Sequence, residues 1–392
     1  MIPSFDRVII LADESANWQV AGLRQLDRLA LALDELAKSI SSQRKIDIVI
    51  FWRPDIAASK RWLPDQPRLT RCNFIEGLNI GGTQRLLNTR LLVKRTGVEE
   101  LVRDAVALEF DPGLGDEAAI WTQLWQRVEN ARVHPGDNGW RYVASSDEVP
   151  KAERWLLQTS GKSRDGFVSR YMNRPVSRAV SQILLRTPMT PNIWTWLITI
   201  FPIVGFLFLI RGNYLGFVIG AAFFNLHSIL DGCDGEIARA KYLDSEKGPG
   251  IDAIGDLISL LLFSIGLGLG LFRSAQPSAV SEWIFLSEGV LTSIFLALRL
   301  GPDHVFDLLR RGPAAVVATQ NDARLRQSGG RVFGDRLTSW AFELTKRDVV
   351  FLAFLLGAAL GLTGWILHLL FVYSFVTLVL SWSSRARREA AP

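Results

Sequence analysis

Apolar and charged positions follow two regimes along the chain. Up to residue 190, charges recur every few positions and interrupt short apolar runs. Beyond it, charge disappears in blocks: no Asp, Glu, Lys or Arg occurs from Pro191 to Ile210, from Gly212 to Leu230, or from Val349 to Ser384. The last block alone is long enough for two spans of about 18 residues each. The pattern predicts a soluble domain followed by an α-helical polytopic membrane domain.

Residues 1–150 read as alternating strands and helices. Arg7–Ala12 and Ile46–Trp52 are short apolar runs suited to buried strands, with further candidates at Cys72–Ile75 and Leu91–Lys94. Between the first two, Ala21–Ile40 sets Leu23, Leu26, Leu29, Leu31, Leu33 and Leu36 at roughly helical spacing. Strand, helix, strand implies a right-handed crossover and a parallel sheet, so the expectation is a Rossmann-type α/β domain. Residues 151–190 form a linker that ends in a basic amphipathic stretch. There Phe167, Tyr171, Val176, Val180, Ile183 and Leu184 alternate with Arg170, Arg174, Arg178 and Arg186, as in a helix lying among lipid headgroups; an amphipathic helix packed on the soluble domain is the alternative. Thr190-Pro191 then opens the first apolar span as cap and first turn.

Residues 191–384 are expected to hold six transmembrane helices, at about 192–210, 213–235, 249–272, 281–300, 348–363 and 365–383. The fourth carries Glu288, either a packing carboxylate facing the bundle or an acceptor-site group. Lys and Arg set the orientation. The loop 301–346 holds Arg310, Arg311, Arg324, Arg326, Arg331, Arg336 and Lys346, and the basic tail 385–392 holds Arg385, Arg387 and Arg388. The opposite turns offer Arg211 and Arg273. Both termini are therefore expected in the cytoplasm, in a multi-pass protein of the cytoplasmic membrane. The first ten residues, with Asp6 and Arg7, do not read as a signal peptide.

Composition trims the alternatives. Aromatic residues at 10% exclude a disordered chain, and two cysteines exclude a disulfide framework or a four-cysteine zinc site. A net charge of +5 without a basic run gives no reason to expect nucleic acid. The four histidines, at 134, 227, 304 and 368, lack metal-ligand spacing, and Cys233 reads as a small filler.

The chemistry concentrates after the second span. Asp231, Asp234, Asp252 and Asp256 fall within 26 residues at a membrane edge, where each carboxylate costs roughly 2.5–3.5 kcal/mol. Asp231 and Asp234 share one helical face, and Asp252 and Asp256 share a face of the next helix, so all four can point at one volume. Four such charges need cations, and hard oxygen donors favour Mg²⁺ or Mn²⁺, with room for two ions. Gly235 and Ala238 clear a slot for a flat group, Gly248 thins the following turn, and Arg239 suits a phosphate. Metals, arginine and slot describe a nucleotide diphosphate site for phosphoryl transfer. An EF-hand fails because Tyr242 stands twelfth from Asp231, and a prenyltransferase would place its acidic motifs far apart.

The spacing D-x-x-D-G-x-x-A-R-x(8)-G-x(3)-D-x(3)-D is matched at all eight fixed positions and resembles the signature of the CDP-alcohol phosphotransferases. The resemblance implies an integral membrane enzyme in which an alcohol or polyol-phosphate acceptor displaces CMP from a CDP-alcohol, with membrane lipid as surroundings and a homodimer as the assembly. It assigns Asp231, Asp234, Asp252 and Asp256 to the metals, Asp256 also as the base on the acceptor hydroxyl, and Gly235, Ala238, Arg239 and Gly248 to the CDP site. Arg299, Arg310 and Arg311 are candidates for an acceptor phosphate. A non-enzymatic divalent-cation membrane protein is the rival reading; it would not need the Gly, Ala and Arg positions.

The stretch Lys162–Arg174 (KSRDGFVSRYMNR) resembles the junction in a narrower group, in which a nucleotidyltransferase-like domain precedes the phosphotransferase, as in inositol-phosphate cytidylyltransferase/di-inositol-phosphate synthase fusions. An active domain of that kind has a glycine-rich loop with an arginine after its first strand. Here Leu11–Gly22 reads LADESANWQVAG, with acids at Asp13 and Glu14, and Asn88-Thr-Arg stands where a metal aspartate is expected. The domain is therefore expected to be a degenerate, non-catalytic relative; a chain that makes its own CDP-alcohol is the alternative.

Overall fold

The computed structural model describes residues 7–40, 45–77, 84–108, 116–130, 139–158, 166–244, 248–275, 281–300 and 346–389. The chain divides into two compact units. One comprises Met1–Thr159 together with Leu185–Pro188 and Arg239–Tyr242; the other comprises Ser160–Leu184, Met189–Ala238 and Leu243–Pro392.

The first unit is α/β. Strand β1 (Arg7–Ala12) is followed by a hairpin of β2 (Gln19–Val20) and β3 (Leu23–Arg24), then by helix α1 (Gln25–Ile40). The helix begins later than the leucine spacing predicts, because Ala21 and Gly22 take positive φ and turn the chain. Strands β4 (Ile46–Trp52), β5 (Cys72–Glu76) and β6 (Gln84–Asn88) follow, then β7 (Leu91–Val93), helix α2 (Val98–Asp104), β8 (Val106–Leu108), α3 (Glu117–Asn130), β9 (Trp140–Tyr142) and α4 (Val149–Gln158). The main sheet runs β5-β4-β1-β6-β8, parallel except for β8. The candidate strand Leu91–Lys94 forms as β7, which pairs with β9 outside that sheet. β1 and β4 are buried on both faces, which explains their nearly continuous apolar sequence. Their carboxyl ends, with that of β6, form the reversal point of strand order, where open α/β sheets bind ligands.

The second unit is helical: α5 (Arg174–Leu184), α6 (Pro191–Ile198), α7 (Ile200–Leu209), α8 (Tyr214–Leu230), α9 (Gly232–Lys241), α10 (Gly248–Ser274), α11 (Ser281–Leu300), α12 (Arg347–Ala359) and α13 (Thr363–Glu389). Among the described residues, three stretches are long and apolar enough to cross a membrane: Pro191–Leu209, Tyr214–Lys241 and Gly250–Ser274. Thr363–Val379 is a shorter apolar helix. A cluster of Phe224, Phe263, Phe351 and Phe354, with centroids 4.6–5.6 Å apart, ties α8, α10 and α12 together. Helices α10 and α11 approach so closely at Gly268 and Gly289 that a Cβ on Gly268 would lie 3.0 Å from the Gly289 Cα.

Helix α5, after a wide π turn at Ser169–Asn173, is inverted relative to a soluble amphipathic helix. Its buried face holds Asn173, Arg174, Ser177 and Ser181, while Phe167, Tyr171, Met172, Val176 and Ile183 are exposed.

Candidate active site

Asn213 caps α8 through its side chain, and the helix carries its register through Asp231, whose backbone N–H donates to His227 at 2.9 Å. That register presents Asp231 beside α10, which supplies Asp252 and Asp256 one turn apart. Carboxylate oxygens of Asp231, Asp252 and Asp256 lie within 4.8 Å of one another. Three anionic oxygens this close are the donor set of a hard divalent cation, so the residues fit the ion that the spacing predicts.

Asp234 stands outside this triad. Its Oδ2 accepts from Thr195 Oγ1 of α6 at 3.0 Å, and its Oδ1 accepts from the backbone N–H of Gly235. The structure adds a residue that sequence reasoning missed: Arg347, at the start of α12. Its Nη2 lies 2.5 Å from Asp231 Oδ2, and its Nη1 pairs with Asp256 Oδ1. One signal could have found it. Arg347 stands two residues before the charge-free block, on the face to which the acids were assigned.

The motif helix is held from below by a second pair the sequence did not reveal. Glu236, fully buried, accepts from Arg174 Nη1 at 3.0 Å and from Ser177 Oγ at 2.9 Å. This fixes α9 against α5 through a charge-assisted bond removed from water. Cys233 is buried, with its thiol on the Ser177 carbonyl, as a filler would be. Ala238 is buried, Gly235 is half-buried, and Gly248 opens α10. Arg239 belongs to the α/β unit by its contacts. Glu288 pairs with His368 Nδ1 at 2.6 Å, between α11 and α13. Arg310 and Arg311, and the side chain of Arg299, lie outside the described residues.

In the α/β unit the reversal point is closed by its own polar groups. Asp13, fully buried, accepts from Arg90 Nη2 at 2.8 Å and Nε at 3.0 Å, from Thr89 Oγ1 at 3.1 Å and from the Ser15 N–H at 2.9 Å. Glu14 pairs with Arg53 at 3.0 Å. The acids that would repel a phosphate are thus neutralised internally.

Residues 188–319 match the CDP-alcohol phosphatidyltransferase family. Similar curated proteins carry the name "Bifunctional IPC transferase and DIPP synthase". The Thermococcus kodakarensis protein is 35% identical over 150 residues, covering 36% of this chain and 34% of that protein. That of Archaeoglobus fulgidus is 34% identical over 128 residues, covering 32% and 24%. That of Aquifex aeolicus is 33% identical over 150 residues, covering 37% and 32%. The matches span a quarter to a third of these relatives' length.

Proposed function

We propose that the helical unit is a CDP-alcohol phosphotransferase of the cytoplasmic membrane. The observation that carries this reading is the convergence of Asp231, Asp252 and Asp256 inside a motif matched at every fixed position, within the stretch that matches the family. The acceptor hydroxyl oxygen attacks the phosphorus that bears the donor alcohol, the bond from that phosphorus to CMP breaks, and CMP leaves. Asp256 takes the acceptor proton. Asp231, Asp234, Asp252 and Asp256 would hold Mg²⁺ or Mn²⁺, two ions in our reading, which when bound would neutralise the charge on the phosphates. Thr195 fixes the Asp234 carboxylate, and the Arg174–Glu236 pair fixes the helix that carries Gly235 and Ala238.

The inverted face of α5 supports its place among headgroups, with Val176 and Ile183 exposed toward lipid while Arg174 turns inward to Glu236. We place six spans with both termini in the cytoplasm, Arg299, Arg310 and Arg311 at an acceptor phosphate, and a homodimer as the assembly. The relatives' names point to inositol-phosphate chemistry for the donor or acceptor. The closed network around Asp13 supports a non-catalytic α/β unit.

The test is CMP release by the purified full chain with Mg²⁺, across CDP-linked polyols and CDP-diacylglycerol, with acceptors extracted from the host membrane. Metal-dependent CMP release with one donor class supports the reading. Absence of release with every donor, together with absence of Mn²⁺ binding, overturns it. Pyrophosphate release from CTP and inositol or sugar phosphates would instead favour the bifunctional alternative.

A further inference from the structure

Helix α5 presents two unlike faces, and its partner helix α9 begins in the same compact unit, where Ser160–Leu184 and Met189–Ala238 cluster together. Inward, Arg174, Ser177 and Ser181 recur at i, i+3 and i+7 and are buried. Outward, Tyr171, Met172, Val176 and Ile183 are exposed, and so is Arg170. Apolar side chains, an aromatic ring and an arginine on one exposed face are the composition of a helix that rests on an anionic bilayer surface. The place of α5 in the chain agrees. Shortly after it ends at Leu184, Pro191 opens a stretch long enough to cross a membrane.

The inward face holds the motif helix. Glu236 of α9 accepts from Arg174 Nη1 at 3.0 Å and from Ser177 Oγ at 2.9 Å, and its other oxygen has no hydrogen-bond partner among the described residues. A buried carboxylate that depends on two donors of one helix ties its own helix to that one. Arg174 Nη1 also donates to the Gly232 carbonyl at 3.3 Å, and a Cβ on Gly232 would lie 2.9 Å from that nitrogen. Gly232, an unfixed position of the motif, thus lets the guanidinium lie against α9. Beside it, the Cys233 thiol donates to the Ser177 carbonyl at 3.4 Å. Arg174 follows directly on the π turn Ser169–Asn173, an irregularity frequent at functional sites.

Asp234, Gly235 and Ala238 lie on the same helix as these contacts. Any shift of α5 is therefore passed to residues that the function proposed above assigns to metal and CDP.

We propose that an anionic bilayer surface is a positioning partner of the CDP site: it seats the outer face of α5, and the Arg174–Glu236 pair passes that seat to the motif helix. This rests on the function proposed above, which puts CDP on α9. A bilayer can bias α9 only by as much as it prefers one placement of α5 over another. Arg170 and the apolar outer face supply that preference. The buried ion pair is a stiff link, since parting its members strands two charges away from water.

The experiment places the full chain, one copy per disc, in nanodiscs of phosphatidylcholine and of equimolar phosphatidylcholine and phosphatidylglycerol. In the mixture the Kd for CDP with Mn²⁺ should be about fivefold lower, and amide hydrogen exchange over residues 232–238 about fivefold slower. Arg170→Gln/Val176→Gln, on the outer face, should lose both gains. Arg174→Gln should bind CDP about tenfold more weakly, and equally in the two bilayers. Equal CDP affinity and equal exchange of the wild type in both bilayers overturn the proposal. So does a gain that persists in Arg174→Gln, because the surface potential would then act without the pair. A gain that requires two copies per disc assigns the outer face to a second chain and overturns the lipid assignment. A wild-type chain that binds no CDP in either bilayer overturns the proposed function instead, and the exchange measurement still decides the link between α5 and the motif helix.

Discussion

Each unit gathers acids at one place in its architecture, but the two gatherings differ in how charge is balanced. At the reversal point of the α/β sheet, Asp13 receives two bonds from Arg90 and two more from Thr89 and the Ser15 amide, and Glu14 has Arg53. In the helical unit Asp231, Asp252 and Asp256 crowd within 4.8 Å while Arg347 pairs with Asp231 and Asp256. Here three carboxylates share one volume, and the arginine bridges two of them. Like charges at this range repel by several kcal/mol at the effective dielectric of a protein edge, on the order of 4 kcal/mol for a pair at 4 Å. The first cluster is a mixed network of donors and acceptors; the second brings three carboxylates together as a group that could hold a metal ion.

The sharpest way to break this contrast is at Asp256. Asp256→Asn should lower CMP release by about 10²–10⁴-fold, the usual worth of a positioned base, while CDP still binds. Activity near that of the wild type would remove Asp256 from the proton transfer. Next in size is the loss of metal. Asp231→Asn and Asp252→Asn would each delete a donor of the proposed metal site and should weaken Mn²⁺ binding, read by titration calorimetry, by more than the roughly 10–100-fold typical of losing an outer partner.

Arg347 sharpens the comparison from the opposite side. Because it pairs with two carboxylates that the metal would use, Arg347→Gln should tighten Mn²⁺ binding by several-fold, on the order of 1 kcal/mol for removal of a competing, partly exposed charge. The same variant should lose thermal stability in EDTA and recover it in Mg²⁺, since the acids then rely on the ion alone. Weaker Mn²⁺ binding would show that Arg347 supports the cation site and does not compete with it.

The unequal legibility of the two units has the same physical root. β1 and β4 were readable because strands buried on both faces need unbroken apolar runs, and the aspartate motif because carboxylates at a membrane edge are costly enough to stand out. The hairpin at Ala21-Gly22 was hidden beneath a leucine spacing that continues through it, and β6 beneath the polar ends of Gln84–Asn88. Arg347 lies far from the triad in sequence, and Glu236 occupies one of the motif's free positions while its partner Arg174 stands 62 residues earlier. Contacts between distant segments leave no period to read.

The smallest expected effect falls on the other side of the contrast. Asp13→Asn keeps an oxygen for Thr89 and Ser15 but removes the charge facing Arg90. Arg90 keeps Glu14 at 3.3 Å and is partly exposed, so the cost should be about 1–3 kcal/mol of unfolding free energy, below that of orphaning a fully buried ion. Thermal unfolding followed by far-UV circular dichroism would register that loss, whereas CMP release should stay within about twofold of the wild type, because Asp13 is no member of the proposed site. A large drop in CMP release with stability preserved would mean that the reversal point takes part in the reaction. The distinction between a structural and a chemical acid cluster would then fail at its quieter end.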